Sequence, residues 1–181
     1  MIGGVSQGGF TALRTALTAP ERVSALLLFD TEAGALPDDD AHAYGQLFTA
    51  LTELGPTTEL TTGLAAQIVG DHPAAQTWAE TWHRRGVPLG APVDCLVDRD
   101  GITDRLPEIT APALVLHGEH DHFIPPERQE RLRTALSRAT AMHVNPGAGH
   151  SPPLTHPDAV NALVVQFLDA VATERGGEQA R

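Results

Sequence analysis

The sequence predicts an α/β fold built on a parallel sheet, and three observations carry that prediction. Short, nearly unbroken apolar runs occur at Val23 to Phe29 and Ala113 to His117, as in strands covered on both faces. Amphipathic helical stretches alternate with these runs, the order that a parallel sheet with crossover helices requires. Gly4-Val5-Ser6-Gln7-Gly8 has the G-x-S-x-G form of a sharp strand-to-helix turn.

Such a turn needs a strand in front of it. Only Met1, Ile2 and Gly3 precede Gly4, so the chain is expected to open inside the last residues of a strand whose lead-in is missing. Phe10 to Thr18 reads as a helix, because Phe10, Leu13 and Leu17 fall at i, i+3 and i+7 on one apolar face. Gly8 and Gly9 stand at its start, where side chains would block close helix–strand packing. Ala19-Pro20-Glu21 ends the helix, and the run from Val23 to Phe29 closes at Asp30. Residues 30–40 form a turn-rich linker with Gly34, Pro37 and three consecutive aspartates.

Helical patches at 41–54, 57–69, 73–85 and 92–99 then alternate with Gly and Pro breaks. A simple crossover needs less, so this stretch reads as an inserted helical lid. Leu106 to Pro112 leads into the strand 113–117. Pro126 to Arg138 is a helix with proline in its first turn. Met142 to Asn145 is the last strand. Pro157 to Thr173 is the closing helix, with Val160, Leu163, Val164, Phe167, Leu168 and Val171 along one stripe. The expected division is a core of 1–36 and 105–175, a helical lid of 37–104 and a disordered tail of 176–181. The expected sheet has three to four strands.

Three reactive side chains follow strand ends in the order Ser6, Asp121, His150. A serine hydroxyl is a weak nucleophile and needs an adjacent base, which a histidine oriented by a carboxylate supplies. Asp121 has two rivals: Asp100, which reads as a lid surface residue, and Asp30, at the end of the preceding strand, with a helix or turn cap as its plainer role. His156 competes with His150 but stands just before Pro157, at a helix start. His117, His120 and His122 lie close together. They depart from the metallo-β-lactamase-like pattern H-x-H-x-D-H, since Glu119 holds the second histidine's place, so they read as solvated loop residues and no metal is expected. Trp78 and Trp82, i and i+4 on a helix, are candidate substrate-binding residues, with packing inside the lid as the plainer alternative. His83 beside them is expected to be exposed.

With the pieces Gly4-Val5-Ser6-Gln7-Gly8-Gly9, Leu106 to Asp121 and Gly147-Ala148-Gly149-His150-Ser151-Pro152 in this order, the chain resembles the α/β-hydrolase family. The resemblance is to single-domain esterase, lactonase and peptidase-like members with a helical lid, and it covers most of residues 1–172. It implies a partial α/β-hydrolase fold, the C-terminal half of an eight-stranded sheet. It implies Ser6 as nucleophile, His150 as base and Asp121 as the orienting acid. It also implies the Gln7 N–H as half of an oxyanion hole, whose other half lies in a loop absent here. A serine at the turn argues against the haloalkane dehalogenase and epoxide hydrolase branches.

The expected activity is serine hydrolysis of an ester, lactone or related carbonyl, without cofactor. A cofactor-free perhydrolase or C–C hydrolase is the alternative on the same scaffold. A truncated or mis-started fragment, inactive on its own, is the alternative of another class.

The bulk properties bound the partners. The 181 residues are 41% apolar, enough for a folded core, and carry a formal net charge of −11. That charge repels nucleic acid and anionic membranes. The partner the resemblance implies is a small-molecule substrate. Cys95 is the only cysteine, which fits a reducing, cytoplasmic setting. No apolar run is long enough to span a bilayer, and the residues at the start do not read as a signal peptide. A strand stub at the sheet edge invites self-association.

Overall fold

A computed structural model describes residues 1–86 and 90–179. Four strands, β1 (Ile2–Val5), β2 (Leu26–Phe29), β3 (Ala113–Gly118) and β4 (His143–Asn145), form one parallel sheet in the order β1-β2-β3-β4. The expected sheet of three to four parallel strands with crossover helices is therefore present. Val5 pairs with Phe29, Phe29 with Leu116, and Gly118 with Asn145. This register lines up the carboxyl ends of the strands. Ser6, Asp30, the loop after Gly118 and the loop after Asn145 all leave the sheet along that one edge, where open α/β sheets bind ligands.

The helices in chain order are α1 (Gln7–Thr18), α2 (Asp38–Glu53), α3 (Thr58–Val69), α4 (Ala74–Arg85), α5 (Ala91–Val97), α6 (Pro126–Ala135), α7 (Pro152–Thr155) and α8 (Pro157–Gln179). The chain forms two compact units, residues 34–102 and the remainder.

In the sheet-bearing unit, α8 lays Val160, Leu163, Val164 and Phe167 over Leu27, Phe29, Leu114 and Leu116. Side chains alternate along a strand, so Leu26, Leu28, Ala113 and Val115 face the other way. On that face α1 packs against β1 and β2, and α6 against β3. All six residues of β3 are buried, which is why its sequence lacks polar alternation.

Several boundaries differ from the sequence expectation. Helices α1 and α2 each start earlier than expected, at Gln7 and Asp38. Strand β2 starts at Leu26, since the N–H of Val23 closes a 3-10 turn at Pro20–Arg22 by bonding to the Pro20 carbonyl. The lead-in to β3 contains a second 3-10 turn, Thr103–Glu108, that buries Leu106. Helix α6 stops at Ala135, because Leu136 turns extended at φ −84° and ψ 123°. Helix α8 continues beyond Thr173, where an ion pair of 2.5 Å ties its Glu174 to Arg138. The segment expected as a disordered tail is thus helical to Gln179, and its last two residues lie outside the described ones.

In the helical unit, α3 and α4 pack together and bury Ala65, Val69 and Ala79. Thr57 caps α3 by accepting the Leu60 N–H. A cleft of about 530 Å³ runs between them, lined by residues that include Thr61, Ala66, His72, Ala79 and His83. Among the described residues, no helix is long and apolar enough to cross a membrane.

Candidate active site

The turn between β1 and α1 holds Ser6 at φ 54° and ψ −125°. A non-glycine residue at positive φ costs on the order of 1–3 kcal/mol and persists only where its surroundings enforce it. Here they do. The Ser6 N–H points at the carbonyls of Phe29 (3.0 Å) and Asp30 (3.1 Å) on the neighbouring strand. Its own carbonyl accepts from the Gly9 and Phe10 N–H groups and from the Thr31 hydroxyl at 2.7 Å.

The glycines around it have unequal roles. A Cβ on Gly4 would come within 2.3 Å of the Gly8 backbone, and one on Gly9 within 2.6 Å of the Thr31 side chain. A Cβ on Gly8 would meet nothing within 4 Å. The expected crowding at Gly8 is therefore a crowding by its backbone, not at its side-chain position. Gln7 opens α1, so its N–H lies among those that project from the helix N-terminus.

The loops after β3 and β4 are zipped together. The Glu119 N–H donates to the Asn145 carbonyl (3.1 Å) and the His120 N–H to the Ala148 carbonyl (2.8 Å). The Gly147 N–H donates to the Glu119 carboxylate at 2.8 Å. Gly118 permits this approach, since a Cβ there would sit 2.0 Å from the Gly149 oxygen.

Asp121 and His150 meet across the zipped loops. The ring Nδ1 lies 2.9 and 3.0 Å from the two carboxylate oxygens. Both side chains are buried, that of Asp121 completely. Oδ1 of Asp121 also accepts the N–H groups of Phe123 (2.8 Å) and Ile124 (3.2 Å). Burial by itself raises the pKa of Asp121. The His150 bond and charge, with those two N–H groups, outweigh it and hold the carboxyl below its usual range. With Nδ1 donating to an ionised Asp121, Nε2 is the accepting nitrogen of the neutral ring. The ring of Phe123 packs against the imidazole with centroids 4.8 Å apart.

Of the acids weighed from the sequence, Asp121 is the one bonded to His150. Asp30 is not a turn cap. At φ 45° it turns inward, its side chain fully buried, and Oδ1 accepts the N–H of Gly118, distant in sequence, at 2.7 Å. Burial, partly opposed by that N–H and reinforced by the negative charge of Asp121 beside it, pushes its pKa up to about 8. His117 is also not a solvated loop residue. It is buried on β3, with Nδ1 2.5 Å from Gln129 Oε1 and 3.5 Å from Asp30 Oδ1. His120 and His122 are exposed.

Asp30, Asp121 and His150 bring one ligand-type atom each within 4.8 Å. Their spacing follows from hydrogen bonding, since Asp121 faces the Nδ1 proton and two backbone N–H groups. His156 sits at the end of α7, bonded to the Thr155 hydroxyl. Trp78 and Trp82 pack on each other on α4, with centroids 5.8 Å apart, and neither lines the cleft between α3 and α4. His83 is exposed, as expected from the sequence. Thr31, Phe123, Gln129 and Gly118 were not foreseen. An aspartate and a threonine directly after an unbroken apolar strand were the one available signal for the buried loop at Asp30.

This arrangement is that of an α/β-hydrolase fold: a parallel sheet with a strained serine turn, and an acid and a histidine on the loops after its last two strands. The chain belongs to the alpha/beta hydrolase family, whose model matches residues 2–163. It is 31% identical over 96% of its length to polyketide synthase ThaQ of Burkholderia thailandensis, spanning 9% of that protein. It is 28% identical over 97% of its length to the pimeloyl-[acyl-carrier protein] methyl ester esterase of Stenotrophomonas maltophilia, spanning 71% of it. The solved thermophilic esterase of Thermogutta terrifontis superposes with a TM-score of 0.75 at 25% identity, over 93% of this chain and 64% of that one.

Proposed function

We propose that the chain carries the chemistry of a serine hydrolase acting on an ester, lactone or related carbonyl. One observation carries the reading: the His150 Nδ1 engages both oxygens of a buried, ionised Asp121, on the same sheet edge as the strained Ser6. In this reading Ser6 Oγ attacks the carbonyl carbon and its proton passes to His150 Nε2. Asp121 holds the ring and stabilises the imidazolium. The oxyanion is met by the Gln7 N–H, one donor of a hole in which each donor is worth about 10²–10³ in rate. Collapse breaks the bond to the leaving group, which takes the proton from Nε2. Water, deprotonated by the same nitrogen, then attacks the acyl carbon, and collapse breaks the bond to Ser6 Oγ, which takes back the proton from Nε2 as the acid leaves.

The test is covalent labelling with a fluorophosphonate probe, read by intact mass and peptide mapping. One adduct on Ser6, lost in Ser6→Ala and weakened in His150→Ala, is expected. Labelling that survives Ser6→Ala, or none in a folded protein, sinks the reading.

A further inference from the structure

We infer that Asp30 is a positioning residue: a neutral carboxylic acid that donates a hydrogen bond from Oδ2 to the Asp121 carboxylate and so fixes the acid that orients His150. The inference deepens the hydrolase reading above and rests on it for its kinetic consequence.

Geometry carries the argument. The Asp30 side chain is completely buried, yet only Oδ1 has a donor, the Gly118 N–H at 2.7 Å. Oδ2 is buried with no hydrogen-bond partner among the described residues. An ionised oxygen left so would carry the full cost of desolvation. A proton on Oδ2 removes the charge and turns the orphan acceptor into a donor. The titratable groups facing Asp30 are Asp121 and His117 from β3 and the loop after it, and His150 from the loop after β4. His150 Nδ1 is committed to Asp121, and His117 Nδ1 sits closer to Gln129 Oε1. Gln129 in turn donates its amide to the Leu116 carbonyl, so its oxygen is the acceptor for the His117 proton. Among the titratable groups facing Asp30, the acceptor left for its proton is Asp121. Asp30 and Asp121 each bring a carboxylate oxygen into one cluster whose atoms lie within 4.8 Å of one another, and two buried carboxyls so placed share one proton, because both cannot ionise there. The upward shift of Asp30 and the downward shift of Asp121 divide the pair in the same direction.

Difference infrared spectroscopy of the full chain, titrated from neutral to alkaline pH, tests this without turnover. A carbonyl stretch of a protonated carboxylic acid is expected at neutral pH, bleaching through about pH 8 and missing in Asp30→Asn. Absence of that band in the wild type, or its persistence in Asp30→Asn, overturns the inference. Should Asp30→Asn not fold, Asp121→Asn replaces it. Removing the neighbouring negative charge must move the titration to lower pH, and an unmoved titration overturns the inference.

In kinetics, Asp30→Ala is expected to lose about 10–100-fold in kcat with little change in KM, as when other supporting partners are removed. Asp30→Asn, which keeps a neutral donor, restores most of the rate and abolishes the decline above about pH 8. Equal losses in Asn and Ala, with the alkaline decline intact in both, overturn the inference. Failure of Ser6 labelling bears on the hydrolase reading and leaves the infrared result standing, so the two fail separately.

Discussion

At the scale of single residues, the serine turn separates two glycines that its motif treats alike. Gly4 has no room for a methyl group, because the Gly8 backbone would stand 2.3 Å from it. Gly8 has room and lies exposed in the first turn of α1. Gly8→Ala is therefore expected to leave the fold intact and to stabilise it by up to about 1 kcal/mol through helix propensity. Gly4→Ala is expected to cost at least about 3 kcal/mol, since the clash is with backbone that cannot swing aside. Urea unfolding of the two variants checks both, and equal effects would show that the turn geometry is misread. The motif marks the position of the serine but not which atoms crowd it. That depends on how tightly α1 leaves β1, and on Thr31, which reaches Ser6 from the next strand.

At the scale of elements, the legible parts were those whose signal is local. The unbroken apolar run at 113–117 and the stripe from Val160 to Val171 each declare how many faces they bury, and β3 and α8 follow. The stops at Leu136 and the 3-10 turn at Thr103–Glu108 were not legible. They answer to packing against other parts of the chain, not to periodicity. The buried loop after β2 was hidden for the same reason. Asp30 and Thr31 find their partners at Gly118 and Ser6, and sequence spacing gives no view of such contacts. Helix α8 offers a sharp comparison. Phe167 is 9% exposed against Ala25 and Leu114, and Val165 is 57% exposed. Phe167→Ala is expected to cost about 3–5 kcal/mol, while Val165→Ala stays within about 0.5 kcal/mol of the parent. Chemical denaturation measures both.

At the scale of the whole molecule, the two carboxyls shape stability against pH with opposite signs. The native state holds a proton on Asp30 up to about 8, whereas the unfolded chain releases it near 3.8. Over that window the native state binds more protons, so this contribution is full below the unfolded value and declines as pH rises, by at most about 1.4 kcal/mol per pH unit. Asp121 behaves oppositely: its native pKa is lowered, so its contribution is present above the unfolded range and is lost as pH falls. Denaturation series at several pH values are expected to show Asp30→Asn gaining on the parent steadily from about pH 4 to about pH 8. A constant difference across that range would mean that Asp30 ionises normally.

The stitching of the loops after β3 and β4 by main-chain bonds also has a kinematic consequence. The carboxylate and the imidazole sit on loops bonded to each other, while the hydroxyl follows β1, across β2 from them. Breathing of the sheet is therefore expected to alter the gap between hydroxyl and ring before it disturbs the ring's grip on its acid.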